Sequence, residues 1–242
     1  MKTIHIAHLY YDLLNLYGEN GNIKALKKEL ENQGFTVAIH FLTIGDTLNF
    51  EEYDLVYMGA GTENNQKLVL TDLIKYKKDI KKAIEQNKHY LITGNSIDLF
   101  GKYILPNDGD KINSLGIFQF YTKQEKKRLI DESIMKCEFI DTPIIGFQNQ
   151  STTMLDNENY LFDVIKGIGS YKTSSHEGIK YNNFYGTYLL GPILVRNPEL
   201  LKHFTKELIF TKDKNYSLRE FDLKMNEEAY EHFMNTFYAD IH

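Results

Sequence analysis

The sequence predicts an α/β fold with an open, mostly parallel sheet, and three observations carry that expectation. Short apolar runs alternate with helical periodicities through the first half, which is the signature of strands joined by helical crossovers. Two of those runs end in glycine-bearing turns, Gly59-Ala60-Gly61 and Gly94-Asn95-Ser96, where such a sheet carries its functional loops. A chain of 242 residues, 42% apolar and 13% aromatic, also has enough bulk to fill a core of this size.

The elements follow in order. Residues 3–8 read as a first strand, too short an apolar run for a signal peptide. A loop rich in Tyr, Asn and Gly spans 9–22. Ile23, Leu26 and Leu30 then recur at helical spacing up to Gly34, a natural stop. Phe35 to Leu42 alternates apolar and polar and carries β-branched Thr36, Val37 and Ile39, so it predicts the second strand. Asp54 to Met58 and His89 to Thr93 are the next two strands, separated by one long helix marked by Leu68, Leu70, Leu73, Ile74, Ile80 and Ile84. The second half predicts strands over 115–121, 132–140, 143–147 and 185–190, and helices over 198–210 and 221–238. With no repeat, low-complexity tract or linker, residues 1–242 are expected to form one domain around a single mixed sheet.

Composition excludes several functions. A formal charge of −5 and a pI near 5.9 lack the basic excess of a nucleic-acid binder. No apolar stretch approaches the roughly 20 residues that cross a bilayer. One cysteine, Cys137, gives no internal disulfide framework, so a reducing, cytoplasmic setting is expected. The eight histidines show no HxH or HExxH spacing, and neither a metal nor another cofactor is implied. Gly94 to Lys102 has six residues between its glycines where a phosphate loop needs four, and Tyr103 stands where a hydroxyl would meet the metal. Cys137 shares one face of an alternating strand with Met135 and Phe139, which reads as a packed thiol rather than a nucleophile.

Three segments together carry a resemblance: Leu14 to Leu26 (with Tyr17-Gly18-Glu19-Asn20-Gly21-Asn22), Thr93 to Lys102 with Gly59-Ala60-Gly61 upstream, and Gly186 to Leu194. In order and spacing they are similar to the GatD-like glutaminase subunits of the cobyric-acid-synthase-like branch of class I glutamine amidotransferases. The likeness runs over residues 1 to about 200 and implies an open three-layer sheet of that family's type. It also implies glutamine hydrolysis by a cysteine on a tight strand-to-helix turn, a histidine that moves its proton, and N–H groups that hold the oxyanion.

This chain departs from the pattern at both reacting positions. Counting back from Gly101 puts Gly94 at the cysteine, and Leu190 stands at the histidine, between Thr187-Tyr188-Leu189 and Gly191-Pro192. The resemblance therefore implies vestigial nucleophile and base positions, with no catalytic residue retained. What it leaves for a pocket is Gly59, Ala60, Gly61, Asn95, Ser96, Arg128, Gln148 and Asn149. Gln148-Asn149-Gln150 itself reads more like Glu-Asn-His in the family. The partner implied is a Mur-ligase-like (MurT-like) protein acting on a peptidoglycan precursor. Two other readings stay open: an active glutaminase using an unrecognised nucleophile such as Thr93 or Ser96, and a stand-alone module that binds glutamine or another small amino acid.

Overall fold

The computed structural model describes residues 2–241. The chain opens with β1 (Thr3–Leu9), α1 (Asn20–Asn32), β2 (Thr36–Leu42), β3 (Leu55–Met58), α2 (Glu63–Leu73), α3 (Lys77–Glu85) and β4 (His89–Thr93). A tight 3-10 turn, Gly94–Phe100, follows β4. Then come β5 (Tyr103–Leu105), β6 (Ile112–Asn113), β7 (Tyr121–Cys137), β8 (Ile140–Leu155), β9 (Phe162–Lys166), β10 (His176–Glu177), β11 (Ile179–Tyr181) and β12 (Phe184–Thr187). The last helices are α4 (Ile193–Arg196), α5 (Pro198–Lys212) and α6 (Lys224–Phe237).

The first sheet has the order β11-β12-β4-β3-β1-β2, parallel except for β11 at one edge. Every residue of β3 and β4 is buried, as a parallel strand covered on both faces requires. Side chains alternate between the faces. Ile4, Ile6, Leu55, Tyr57 and Leu91 meet α1 and α5 through Ile23, Leu26, Leu30, Phe204 and Leu208. Ala7, Leu9, Val56, Met58, Tyr90 and Ile92 meet α2 and α3 through Val69, Leu73, Ile80 and Ile84. The result is three layers, with the expected mostly parallel sheet in the middle.

The expectation of a single sheet needs correcting. A second sheet, β10-β9-β7-β5-β6 with β8 on β7, is built around a hairpin of 17- and 16-residue strands. The segments expected at 132–140 and 143–147 are its two arms on either side of the turn at 138–139. Charged and hydroxylic residues in both arms hide a strand pattern that tertiary pairing supplies. Residues 115–120 form no strand. Their N–H groups close the end of the 3-10 turn instead, with Leu115 donating to the Leu99 carbonyl at 2.9 Å and Gly116 to that of Gly101 at 2.7 Å. The helix expected from 68 to 84 starts at Glu63 behind the Thr62 N-cap, whose hydroxyl accepts from the Asn65 N–H. It is interrupted by a 3-10 turn at Ile74–Tyr76.

Cys137 ends β7 half-buried beside Phe139, in the cluster that holds Met135. Burial pushes its thiol up to about 11, so it stays protonated and inert at neutral pH. His89 is buried at the start of β4, with Nε2 within 3.0 Å of the Thr211 hydroxyl. Among the described residues no helix is long and apolar enough to cross a membrane.

Candidate functional site

Three loops meet at the carboxyl edge of the parallel sheet: Gly59-Ala60-Gly61 after β3, the turn at Gly94 after β4, and Tyr188 to Gly191 after β12. Gly94 sits at φ +64°, the left-handed backbone of a strained strand-to-helix turn, which glycine adopts at little cost. Any side chain there would collide. A Cβ built on Gly94 lies 2.4 Å from the Ala60 Cβ and 3.1 Å from Leu190 Cδ2. The volume that a side chain on this turn would need is already filled by a methyl and an isobutyl group.

Hydrogen bonds hold the filling in place. Asn95 Oδ1 accepts from the Gly61 N–H at 3.1 Å, and Asn95 Nδ2 donates to the Gly61 carbonyl at 2.9 Å. The Gly61 N–H is thus committed within the protein. Ser96 is fully buried and donates its hydroxyl to the Gly59 carbonyl at 2.5 Å. Leu190 donates its N–H to the Phe147 carbonyl at 2.9 Å, tying this loop to β8.

What remains open is a cavity of about 10 Å³ lined by Tyr17, Gly61, Gly94, Asn95, Arg128, Asn149, Gln150, Tyr188 and Leu190. That is room for about one water molecule. Of the residues expected to line a pocket, Gly61, Asn95, Arg128 and Asn149 reach it. Gly59, Ala60 and Ser96 form its backing. Gln148 points elsewhere: it accepts from the Ser133 hydroxyl at 2.8 Å and donates to Gln150 and to the Gly169 carbonyl. Arg128 lies across the mouth, pairing with Glu63 at 2.5 Å and donating to the Asn149 carbonyl at 3.1 Å. Both partners of that ion pair are more than a third exposed, so it closes the mouth without adding more than about 1 kcal/mol. Asn149 Nδ2 donates to the Tyr17 hydroxyl at 3.0 Å and seals the other side. Larger clefts lie elsewhere, one of about 700 Å³ between Lys81, Lys102, Phe118, Asp156 and Tyr181 and one of about 680 Å³ between Arg196, Tyr230 and Phe233.

Two buried carboxyls organise this edge, and sequence reasoning passed over both. Glu19, inside the Tyr/Asn/Gly loop, accepts from the Tyr57 hydroxyl at 2.7 Å, the Thr93 hydroxyl at 2.8 Å and the Gly191 N–H at 3.2 Å. It therefore ties three of the converging segments to one oxygen pair. Burial pushes its pKa up, and these donors pull it part of the way back. Thr93, so fastened, offers no free hydroxyl. Asp98, in the 3-10 turn, accepts from Tyr188 at 2.7 Å, Thr152 at 2.8 Å and Gln66 at 3.2 Å. An acidic residue in an apolar context (Ile97-Asp98-Leu99-Phe100) is the one signal that could have flagged it.

Burial raises the Asp98 carboxyl to about 6, and that of Glu177, held by Thr187 and the Tyr188 N–H, to about 7. Both groups bind a proton more tightly folded than unfolded. Their contribution to stability is therefore complete below about pH 4 and falls as pH rises through about 6 and 7. Each accounts for a loss of about 3 kcal/mol. Denaturation midpoints from pH 4 to pH 8 should flatten measurably in Asp98→Asn and again in Glu177→Gln.

Comparison with known proteins places this geometry. Residues 5–198 match the model of the CobB/CobQ-like glutamine amidotransferase domain. The GatD subunit of lipid II isoglutaminyl synthase (glutamine-hydrolysing) from Staphylococcus aureus (strain N315) is 31% identical over 222 residues, spanning 92% of this chain and 91% of that subunit. The chain belongs to the CobB/CobQ-like glutamine amidotransferase family. The GatD subunit of Streptococcus pneumoniae (strain ATCC BAA-255 / R6) is 33% identical over 200 residues, 81% of this chain and 77% of its own length. A solved glutamine amidotransferase of Thermotoga maritima shares the fold, at a TM-score of 0.51 with 12% identity over 96% of this chain and 94% of its own. In this family setting, the turn at Gly94 and the loop at Leu190 stand at the carboxyl edge, where the sequence resemblance expected a cysteine and a histidine.

Proposed function

We propose that this protein is a GatD-type subunit that assembles with a Mur-ligase-like (MurT-like) partner in the amidation of a peptidoglycan precursor in the cytoplasm, without hydrolysing glutamine itself. The subunit role rests on the likeness to two GatD subunits over most of their length. The absence of hydrolysis rests on one observation: the space above Gly94 is filled by the Ala60 methyl and the Leu190 side chain. Hydrolysis of a carboxamide requires a nucleophile, a proton carrier and free donors for the oxyanion. Here the turn has no side chain, its neighbour is aliphatic, and the Gly61 N–H is bonded to Asn95. A cavity of about 10 Å³ is also far below the few hundred Å³ of a ligand pocket, which counts against a module that senses amino acids through this site.

The assay is direct. Purified protein, alone and with its co-expressed ligase-like partner, is incubated with glutamine, and glutamate release is followed. The expected result is release at the buffer blank in both cases, with amidation by the complex supported by ammonium salts and not by glutamine. Release above the blank that Thr93→Ala or Ser96→Ala abolishes would reverse the reading. Failure of the two chains to co-purify would remove the subunit role while leaving the inactive site untouched. Glutamine and other amino acids at millimolar concentration are expected to leave the melting temperature unchanged, because nothing in the filled site binds them.

A further inference from the structure

The two edges of the parallel sheet are treated very differently. At one edge, β11 is three residues long and has Lys180 at its centre, and the Lys180 N–H donates to the Asn159 carbonyl at 3.0 Å. That is how natural edge strands avoid pairing with other chains: they are short, charged and covered. At the other edge, β2 runs Thr36–Leu42 in unbroken register with β1 over seven residues. It has no charged residue, no proline and no bulge. Among the described residues, no strand, side chain or loop hydrogen-bonds its outer flank. An unprotected, uncharged edge of this length is a template for another strand.

The side chains of β2 suggest which strand. Val37, Ile39 and Phe41 share one face and Ala38 and His40 the other. Val37 is buried, whereas Phe41 is 54% exposed and touches Tyr11, itself 37% exposed, at 5.2 Å between ring centroids. A two-fold axis through Ile39 makes this pattern self-complementary. Ile39 then faces its own copy, Phe41 faces Val37, His40 faces Ala38 and Leu42 faces Thr36, with no like charges opposed and each exposed Phe41 covered by an aliphatic neighbour.

We propose that β2 is a self-association edge, at which a second copy of this chain adds its own β2 antiparallel and joins two six-stranded sheets into one of twelve. The contact lies on the outer flank of β2, so it leaves the loops after β3, β4 and β12 free for a different partner. It does not depend on whether the site at Gly94 is active.

Sedimentation of the full-length protein across the micromolar range tests it. A dimer mass is expected, and Ile39→Lys, which sets two ammonium groups against each other on the axis, should raise the dissociation constant on the order of 100-fold. In a Cys137→Ser background, Ile39→Cys should form a disulfide-linked dimer on mild oxidation, because directly opposed residues of an antiparallel pair lie within disulfide range. Thr36→Cys, which faces Leu42 of the copy, should not. The cross-linking arm stands even if Ile39→Lys fails to fold. A monomer at every concentration overturns the proposal. So does a dimer that survives Ile39→Lys and does not cross-link at position 39, or pairing of β2 with a different protein only.

Discussion

Gly94→Cys, alone or with Leu190→His, is expected to lower stability by about 2–4 kcal/mol and to release no glutamate. The cost has two sources. A side chain at φ +64° carries backbone strain, and its Cβ would overlap the Ala60 Cβ at 2.4 Å. Because the overlap is with one methyl group, Ala60→Gly should recover roughly half of the loss. In a double-mutant cycle, that recovery appears as a coupling of about 1–2 kcal/mol between positions 60 and 94. Chemical denaturation of the four proteins of that cycle measures it. Additive losses would mean that the Ala60 methyl is not what fills the turn. Supplying sulfur and imidazole is thus insufficient as long as the loop after β3 occupies their place.

The second large effect lies one turn deeper. Asp98→Ala is expected to cost about 3–5 kcal/mol, because it strands the buried Tyr188 and Thr152 hydroxyls and leaves the Gln66 amide only its bond to the Asn95 carbonyl. These donors come from β8, α2 and the segment after β12, so the loss should be cooperative and leave the denaturant slope unchanged. Asp98→Asn keeps an acceptor and removes a buried charge, and its loss at pH 8 should be less than half as large. If the alanine variant loses less than about 1 kcal/mol, the carboxyl is not the hub that its hydrogen bonds imply.

The parallel sheet was legible because its physics is local. Continuous apolar runs such as Leu55-Val56-Tyr57-Met58, followed by glycine, announce strands buried on both faces, and the helices between them carry a regular period. The long hairpin was legible only near its turn, in the strands expected at 132–140 and 143–147. Tyr121 to Cys137 contains Lys123, Glu125, Lys126, Lys127, Arg128, Asp131 and Glu132, and only pairing with Ile140–Leu155 makes it a strand. At the site, the sharp turn could be placed at Gly94 from the family resemblance, by counting back from Gly101. That Ala60 fills it could not, since alanine looks inert in sequence and acts only through a 2.4 Å approach. Glu19 was hidden for the opposite reason: it sits in a polar loop, where an acid draws no notice, yet it is fully buried.

The topology also has a consequence for synthesis. Between β4 and β12 the chain leaves the parallel sheet, completes the second one and returns, so that Tyr90 pairs with Phe184 across 94 positions. During translation the first four strands emerge long before the one that completes β4, and the Gly94 turn has only one wall until Leu190 arrives. Closing so long an excursion adds little to the equilibrium cost, since that cost grows only with the logarithm of its length, but it sets the pace of folding. The nascent polypeptide therefore carries β4 with one flank unpaired while roughly 90 further residues are made, and this is the interval that exposes it to misassembly.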